Sequence, residues 1–78
     1  MQEIQIEFLA MDLMERISKN IELRRKKLKL SADRLSKIAD ISVSTLIKIR
    51  RKETNDLRVS TLIAIAKALE CGIEDLIK

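Results

Sequence analysis

The sequence has few of the residues on which several protein classes depend. Its 78 residues include no proline, no histidine, one glycine (Gly72), one cysteine (Cys71) and one aromatic residue (Phe8). Because tight turns between strands usually need glycine or proline, this composition favours an all-α fold. The core must then consist of aliphatic side chains and methionine. The length sets an upper limit of one domain.

The same shortages limit the chemistry. One cysteine cannot form an intrachain disulfide, and without histidine a zinc finger and histidine-based catalysis are excluded. The chain also lacks spaced metal ligands and a glycine-rich phosphate loop, so we expect neither an enzyme nor a cofactor. A lone cysteine fits the reducing cytoplasm. No apolar run approaches the roughly 20 residues that cross a membrane, and the N-terminus lacks a signal-peptide pattern, so we expect a cytoplasmic protein without membrane contact.

Positive charge is concentrated in one segment of the chain. The formal net charge is +4. Residues 1–15 carry four acids and no base, whereas residues 16–58 carry 14 bases and five acids, a net charge of +9. Such a segment is typical of a surface that binds nucleic-acid phosphates, although a basic helical surface can also be merely solvated.

Two short helices joined by a tight turn are predicted between residues 31 and 49. Ser31 can cap the first helix, because its hydroxyl can accept a hydrogen bond from a free amide of the first turn. Leu35, Ile38 and Ala39 then fall on one helical face. The segment Asp40-Ile41-Ser42 breaks this pattern, which places the turn there. The apolar Ile41 is expected to fill the angle between the two helices.

The second helix has one apolar and one polar side. Ser42 can cap it, and Leu46 and Ile49 face inward. The side chains that face outward are those of Val43, Ser44, Thr45 and Lys48. This arrangement is that of a helix-turn-helix, whose second helix enters the DNA major groove and brings its N-terminal residues to the base edges.

Further helices are predicted on either side of this motif. A first helix runs from Asp12, its cap, to Leu28, and its buried stripe is predicted to be Leu13, Ile17, Ile21 and Leu28. A fourth helix extends from Leu57 to Glu70 with Asp56 as a possible cap. Its apolar surface is predicted to comprise Val59, Leu62, Ile63, Ile65, Ala66, Ala68 and Leu69. Gly72 is expected to end it, before a last turn from Ile73 to Ile77.

The first twelve residues allow three interpretations. Ile4, Ile6 and Phe8 alternate with polar residues, as in a half-buried strand. Ile6 and Leu9 also belong to a stripe with helical spacing, which would lengthen the first helix. A tail is the third possibility. We therefore treat residues 1–12 as an N-terminal extension and residues 13–78 as the domain.

Residues 17–77 resemble the lambda-repressor-like, Cro-type helix-turn-helix domain. The resemblance is carried, without gaps, by Ile17, Ile21, Arg25, Leu30, Ser31, Leu35, Ala39, Ile41, Ser42, Leu46, Ile49, Leu62, Ile65, Ala66, Ala68, Leu69 and the ending Ile73-Glu74-Asp75-Leu76. It implies a compact five-helix bundle that binds a palindromic operator in double-stranded DNA as a homodimer.

The resemblance also implies which residues contact DNA. The residues that would face bases are Val43, Ser44, Thr45 and Lys48. Those that would lie near phosphates are Arg25, Ser31, Arg34, Lys37, Arg51, Lys52, Thr54 and Asn55. Ala32 and Val43 stand where many members have glutamine. Arg50 stands where members often have an acid that pairs with the arginine matching Arg25, so both arginines would be freer to meet DNA or to repel each other.

Two functions follow from these observations. The first is a sequence-specific, repressor-like transcriptional regulator whose second motif helix reads the operator. The second is a protein-interaction module, such as an antitoxin, that keeps the fold with weak or no DNA binding. In that case the apolar N-terminal and C-terminal segments would bind a protein partner. The missing glutamines favour the second function, and the basic segment favours the first.

Overall fold

Five α-helices make up the described part of the chain in the computed structural model. It describes residues 2–54 and 57–78, with side chains from Leu13 onward. The helices are α1 (Gln2–Lys27), α2 (Ala32–Ala39), α3 (Val43–Arg50), α4 (Val59–Ala68) and α5 (Ile73–Ile77). No strand occurs in this part of the chain. The predicted all-α, five-helix fold is therefore confirmed.

The first helix is longer than predicted. Its backbone is helical from Gln2, so the strand interpretation of the first residues is wrong and Asp12 lies inside the helix instead of capping it. Ile17 and Ile21 are buried, and Met14 packs against them at the edge of the core. Leu13 and Leu28 were predicted to be buried but are 39% and 40% exposed, because the packed part of α1 ends before it reaches either of them.

The core lies where the five helices meet. Its buried residues are Ile17, Ile21, Leu35, Leu46, Ile49, Leu62, Ile65, Ala66, Leu69 and Leu76. Leu35, Ile49, Ile65 and Leu76, one from each of α2 to α5, are the largest side chains with essentially no exposure. The core therefore fixes α3 through its inner side, which leaves the outer side available.

Three predicted core residues lie at the surface. Ile38, Val59 and Ile63 are 51%, 66% and 37% exposed. In α2 the residue buried next to Leu35 is Ser36. Its hydroxyl donates a 2.6 Å hydrogen bond to the Asp33 carbonyl. That bond satisfies the hydroxyl internally, so its burial carries no unpaired polar group. The helix can therefore turn its Ile38 side to solvent.

The turn between α2 and α3 has the predicted geometry. Ser31 and Ser42 are the N-caps of the two helices, and their hydroxyls accept the amide hydrogens of Arg34 and Thr45. Asp40 is left-handed, with φ 57° and ψ 46°. Ile41 packs half-buried against the core. These contacts fix the angle between the two helices.

Left-handed residues end four helices, although none of them is glycine. Lys29, Asp40, Lys52 and Glu70 have φ between 57° and 59°. After each, the next amide reaches back to a carbonyl five residues earlier, as from Cys71 to Ala66 at 2.9 Å. These are Schellman endings, which usually use glycine because a Cβ is strained there. Gly72 does not end α4 as predicted; it is the N-cap of α5, with φ −89°.

The glycine-free ending of α4 gives a prediction about stability. Replacing Glu70 by glycine is expected to raise the free energy of unfolding by about 0.5–1 kcal/mol, because glycine removes left-handed strain. It also removes an acid from the negative end of a helix. Urea denaturation would measure the change. Glu74→Gly, at an ordinary helical position, is the control that should lose stability, and a loss with Glu70→Gly would contradict the strain argument.

Candidate nucleic-acid interface

The N-terminal turn of α3 carries a cluster of hydroxyl groups. The Ser42 oxygen lies 3.1 Å from that of Ser44 and 2.8 Å from that of Thr45. The same Ser42 oxygen accepts the Thr45 amide hydrogen at 3.2 Å. Next to the cluster, the Val43 side chain is 39% exposed. This end of α3 therefore presents hydroxyl donors and acceptors beside an apolar group.

The outer side of α3 is open along its length. Ser44 and Lys48 are exposed, and Thr45 is half-buried, whereas Leu46 and Ile49 on the inner side are 5% and 1% exposed. Such a mixture of groups matches the chemistry of base edges in the major groove. Hydroxyls and an ammonium group can bond to polar base atoms, and an apolar side chain can contact a thymine methyl.

A cavity of about 270 Å³ lies where α3 meets the start of α4. The residues that line it are Thr45, Lys48, Ile49, Thr54, Leu57, Arg58 and Thr61. It brings together the three predicted contacts Thr45, Lys48 and Thr54. It also adds Arg58 and Thr61, two residues that the sequence interpretation missed.

Arg58 and Thr61 were missed because the start of α4 was predicted two residues too early. The helix begins at Val59, and its N-cap residue, Arg58, forms no capping hydrogen bond with its side chain. Asp56, the predicted cap, lies outside the described residues. A helix N-terminus with amides that no side chain caps is suited to bind an anion. Had the start been placed at Val59, Arg58 would have been a candidate.

The start of α2 carries another set of predicted contacts. Ser31 and Arg34 lie exposed in its first turn, and Lys37 follows one turn later. Lys37 forms an exposed ion pair with Asp33 at 3.2 Å. Ala32 is the first residue of the helix, so the missing glutamine side chain leaves the amides of the first turn in place.

The segment after α3 holds the remaining predicted contacts. Arg51 and Lys52 are both exposed. Arg51 forms an ion pair with Glu53 at 3.9 Å, and Lys52 forms one with Glu15 at 3.4 Å. Exposed pairs of this kind contribute little to stability, so a DNA phosphate can replace either carboxylate at low cost. Thr54 is half-buried. The predicted contact Asn55 lies outside the described residues.

Arg25 is engaged inside the protein. Its Nε and Nη2 donate to the two carboxylate oxygens of Glu22 at 3.1 and 2.9 Å, and Nη1 donates to the Leu30 carbonyl at 2.7 Å. The bond to Glu22 raises the pKa of Arg25, and the same bond lowers the pKa of Glu22. The expectation that Arg25 is free of a carboxylate is therefore wrong. The phosphate contact assigned to it stays a prediction.

The Glu22–Arg25 pair predicts how stability depends on pH. Because the folded protein depresses the pKa of Glu22, the stabilisation is complete above the ordinary glutamate pKa and is lost as the pH falls through the lower, folded value. Glu22→Gln should therefore lower the free energy of unfolding at pH 7 by about 1–2 kcal/mol. The deficit should shrink steadily below about pH 4. Urea titrations between pH 2 and 7 would measure it, and a constant deficit would contradict the assignment.

Among the described side chains, those of residues 13–54 and 57–78, no group of three or more acidic or cysteine residues is placed to hold a metal ion. No helix in the described part of the chain combines the length and apolarity that a membrane span requires. The cationic and hydroxyl-rich surface around α3 is thus the site that the geometry favours.

Comparisons with known proteins agree with this assignment. A family model described as the Cro/C1-type HTH DNA-binding domain matches residues 20–78. Among solved structures, the crystal structure of the P22 c2 repressor protein in complex with synthetic operator 9T, in the presence of Tl⁺, is similar with a TM-score of 0.71. It is 34% identical, and the match covers 80% of this chain and 92% of that chain. A comparison with curated protein sequences found no match.

Proposed function

Because the chain belongs to the Cro/C1-type helix-turn-helix DNA-binding family, we propose that it regulates transcription by binding a palindromic operator as a homodimer. The observation that carries this proposal is the two-sided α3. Its inner side is buried in the core, and its outer side presents hydroxyls and Lys48 to solvent, next to cations on the neighbouring segments.

In this proposal α3 lies in the major groove and reads the sequence. Ser44, Thr45 and Lys48 bond to base edges, and Val43 contacts a thymine methyl. The hydroxyl bonds among Ser42, Ser44 and Thr45 hold these groups in fixed positions before DNA arrives. Preorganisation of this kind reduces the entropy lost on binding.

The surrounding groups bind the sugar–phosphate backbone and set the register. The phosphate contacts proposed here are Arg25, Ser31, Arg34, Lys37, Arg51, Lys52, Thr54 and Asn55, together with Arg58 and Thr61 beside the cavity. Arg58 and the amides at the start of α4 would hold one phosphate, and the amides at the start of α2 another. Contacts of this type supply affinity but little sequence information.

A homodimer follows from the symmetry of an operator. Two copies of α3 would enter successive major grooves about 34–36 Å apart on one side of the duplex. The P22 c2 repressor, which resembles this chain over most of both lengths, was crystallised with an operator. That likeness supports the proposed target but leaves the surface between two copies of this chain unassigned.

Selection from a random duplex pool tests the function directly. Duplexes bound by the full chain should yield a palindromic motif with half-site centres about 10–10.5 base pairs apart. The sedimentation of the complex should correspond to two chains per duplex. A motif without symmetry would contradict the dimer, and the absence of any enriched motif would contradict sequence-specific regulation.

Lys48 provides a test of how α3 reads DNA. Lys48→Ala should weaken binding to the selected operator by about 1–3 kcal/mol, since one base contact is lost, and should weaken binding to random duplex much less. Mobility shifts on both duplexes at one salt concentration would measure the difference. Lys67→Ala, which removes the same charge from the last turn of α4, is the control. Equal losses on both duplexes would make Lys48 a phosphate contact.

A protein-interaction module is the second candidate. It is favoured by apolar side chains that lie at the surface, such as Leu23 at 58% and Val59 at 66% exposure. Scattered exposed apolar residues are common on monomeric proteins, so this support is weaker than that for DNA binding. Capture of a defined protein partner together with the absence of a mobility shift would favour this candidate.

A further inference from the structure

Three elements of the fold converge on one carboxylate. Glu22 of α1 accepts two hydrogen bonds from Arg25, and its Oε1 atom also lies 3.6 Å from Nε of Arg50, the last residue of α3. Arg25 in turn donates to the Leu30 carbonyl just before α2. One acidic side chain therefore connects α1, the segment leading into α2 and the end of α3.

The environment of this carboxylate is partly shielded from water. The side chains of Glu22 and Arg25 are 23% and 14% exposed, whereas that of Arg50 is 57% exposed. The adjacent cavity, between α1 and α3, has a volume of about 10 Å³, at most the space of one water molecule. Shielding strengthens the attraction between the charges, so this cluster should hold its geometry better than the exposed pairs around it.

Arg50 is fixed from α1 by two contacts. Its guanidinium faces Glu22, and its backbone carbonyl accepts a 3.4 Å hydrogen bond from the buried Ser18 hydroxyl. Both contacts act at the C-terminal end of α3, while the Ser42 cap fixes the opposite end. The rotation of α3 about its own axis, which decides where Lys48 points, depends on both ends.

We propose that Glu22 is a positioning residue for DNA recognition: by holding Arg25 and Arg50 together, it sets the orientation of α3 against the duplex. This inference rests on the proposed function. It assigns to Glu22 an effect on the choice of DNA sequence, although the residue itself touches no DNA. Without the carboxylate, two neighbouring cations repel each other and the end of α3 keeps only one of its two contacts with α1, the Ser18 hydrogen bond.

The test compares binding to the selected operator with binding to random duplex. Glu22→Gln removes the charge with little change in shape. It should lower operator affinity about tenfold, the loss expected for a charge-assisted hydrogen bond. Affinity for random duplex should stay the same or rise, because a negative charge is gone. The ratio of the two affinities therefore falls, whereas a loss of folded protein would lower both affinities equally.

A second variant tests whether the position of the charge is what matters. In Glu22→Gln/Arg50→Glu the carboxylate comes from α3 and can meet Arg25, since the side chain at position 50 already reaches Glu22. The ratio should recover to within about threefold of the original, because an ion pair again joins α1 to the end of α3. Both absolute affinities should be lower than those of the original protein, because an acid replaces a cation.

A matched control uses the other carboxylate on this side of α1. Glu15 lies seven residues before Glu22 and pairs with the exposed Lys52 at 3.4 Å, so Glu15→Gln makes the same charge change. The ratio of operator affinity to random-duplex affinity should be unchanged in this variant, because an exposed ion pair contributes little to stability. A ratio unchanged in Glu22→Gln, or no recovery in the double variant, would overturn the positioning role. If the original protein shows no preference for any duplex, the proposed function fails instead.

Discussion

Raising the salt concentration from 50 to 200 mM is expected to weaken operator binding by about 10³- to 10⁵-fold. The exposed cations that we propose to contact phosphates around α3 are Arg34, Lys37, Arg51, Lys52 and Arg58. A dimer doubles their number. Each phosphate that they neutralise releases condensed counterions, and added salt opposes that release. This loss of affinity is a larger effect than the loss of stability that we expect for Leu35→Ala.

The slope of the salt dependence also reports how many copies bind. A plot of log affinity against log salt should have a slope of about −9 if these five cations of both chains contact phosphates, and about half that value for one chain. Fluorescence anisotropy on the selected operator between 50 and 300 mM salt would give the slope. Arg51→Ala should make it shallower by about one or two units, depending on the number of chains. A slope near zero would argue against nucleic-acid binding.

Leu35→Ala is expected to lower the free energy of unfolding by about 2–5 kcal/mol. Its side chain is completely buried at the centre of the core, so its loss removes apolar contacts and leaves a cavity. The total stability of a domain is about 5–15 kcal/mol, and small domains fall at the lower end. The variant should therefore be partly unfolded at 37 °C, which urea denaturation and circular dichroism would show.

Ile38 on the same helix is the matched control. The sequence pattern predicted Leu35 and Ile38 on one buried face, whereas the structure leaves Ile38 51% exposed. Ile38→Ala should lower the free energy of unfolding by about 1 kcal/mol or less, because much of the Ile38 side chain is already in contact with water. Equal losses from the two variants would show that α2 packs through a different face from the one described here.

Most of the helix-turn-helix could be predicted because its signals are local. Ser31 and Ser42 cap the helices that follow them, and Asp40 takes the left-handed turn, as the sequence indicated. A cap depends on a side chain and an amide three residues away, so the chain encodes it without distant contacts. The exposed groups of α3 were predicted for a related reason, since helical spacing separates its two sides.

Which apolar residues are buried could not be decided in the same way. Helical spacing allows several overlapping stripes, and the choice among them depends on which neighbours cover the helix. Leu13, Ile38 and Ile63 fit the spacing but lie at the edges of the packed faces, while Ser36 is buried with its hydroxyl bonded. The start of α4 was misplaced as well, so Arg58 and Thr61 were not recognised as neighbours of Lys48.

The sequence alone determined that this protein is a small helical domain with a helix-turn-helix and a cationic surface, because caps, spacing and charge are properties of neighbouring residues. Only the tertiary structure decided that Glu22, which pairs locally with Arg25, also meets Arg50, 28 residues further along the sequence. Such a meeting depends on how α1 and α3 pack, which no local pattern encodes. The placement of α4 beside α3 likewise brings Arg58 and Lys48 to the lining of one cavity.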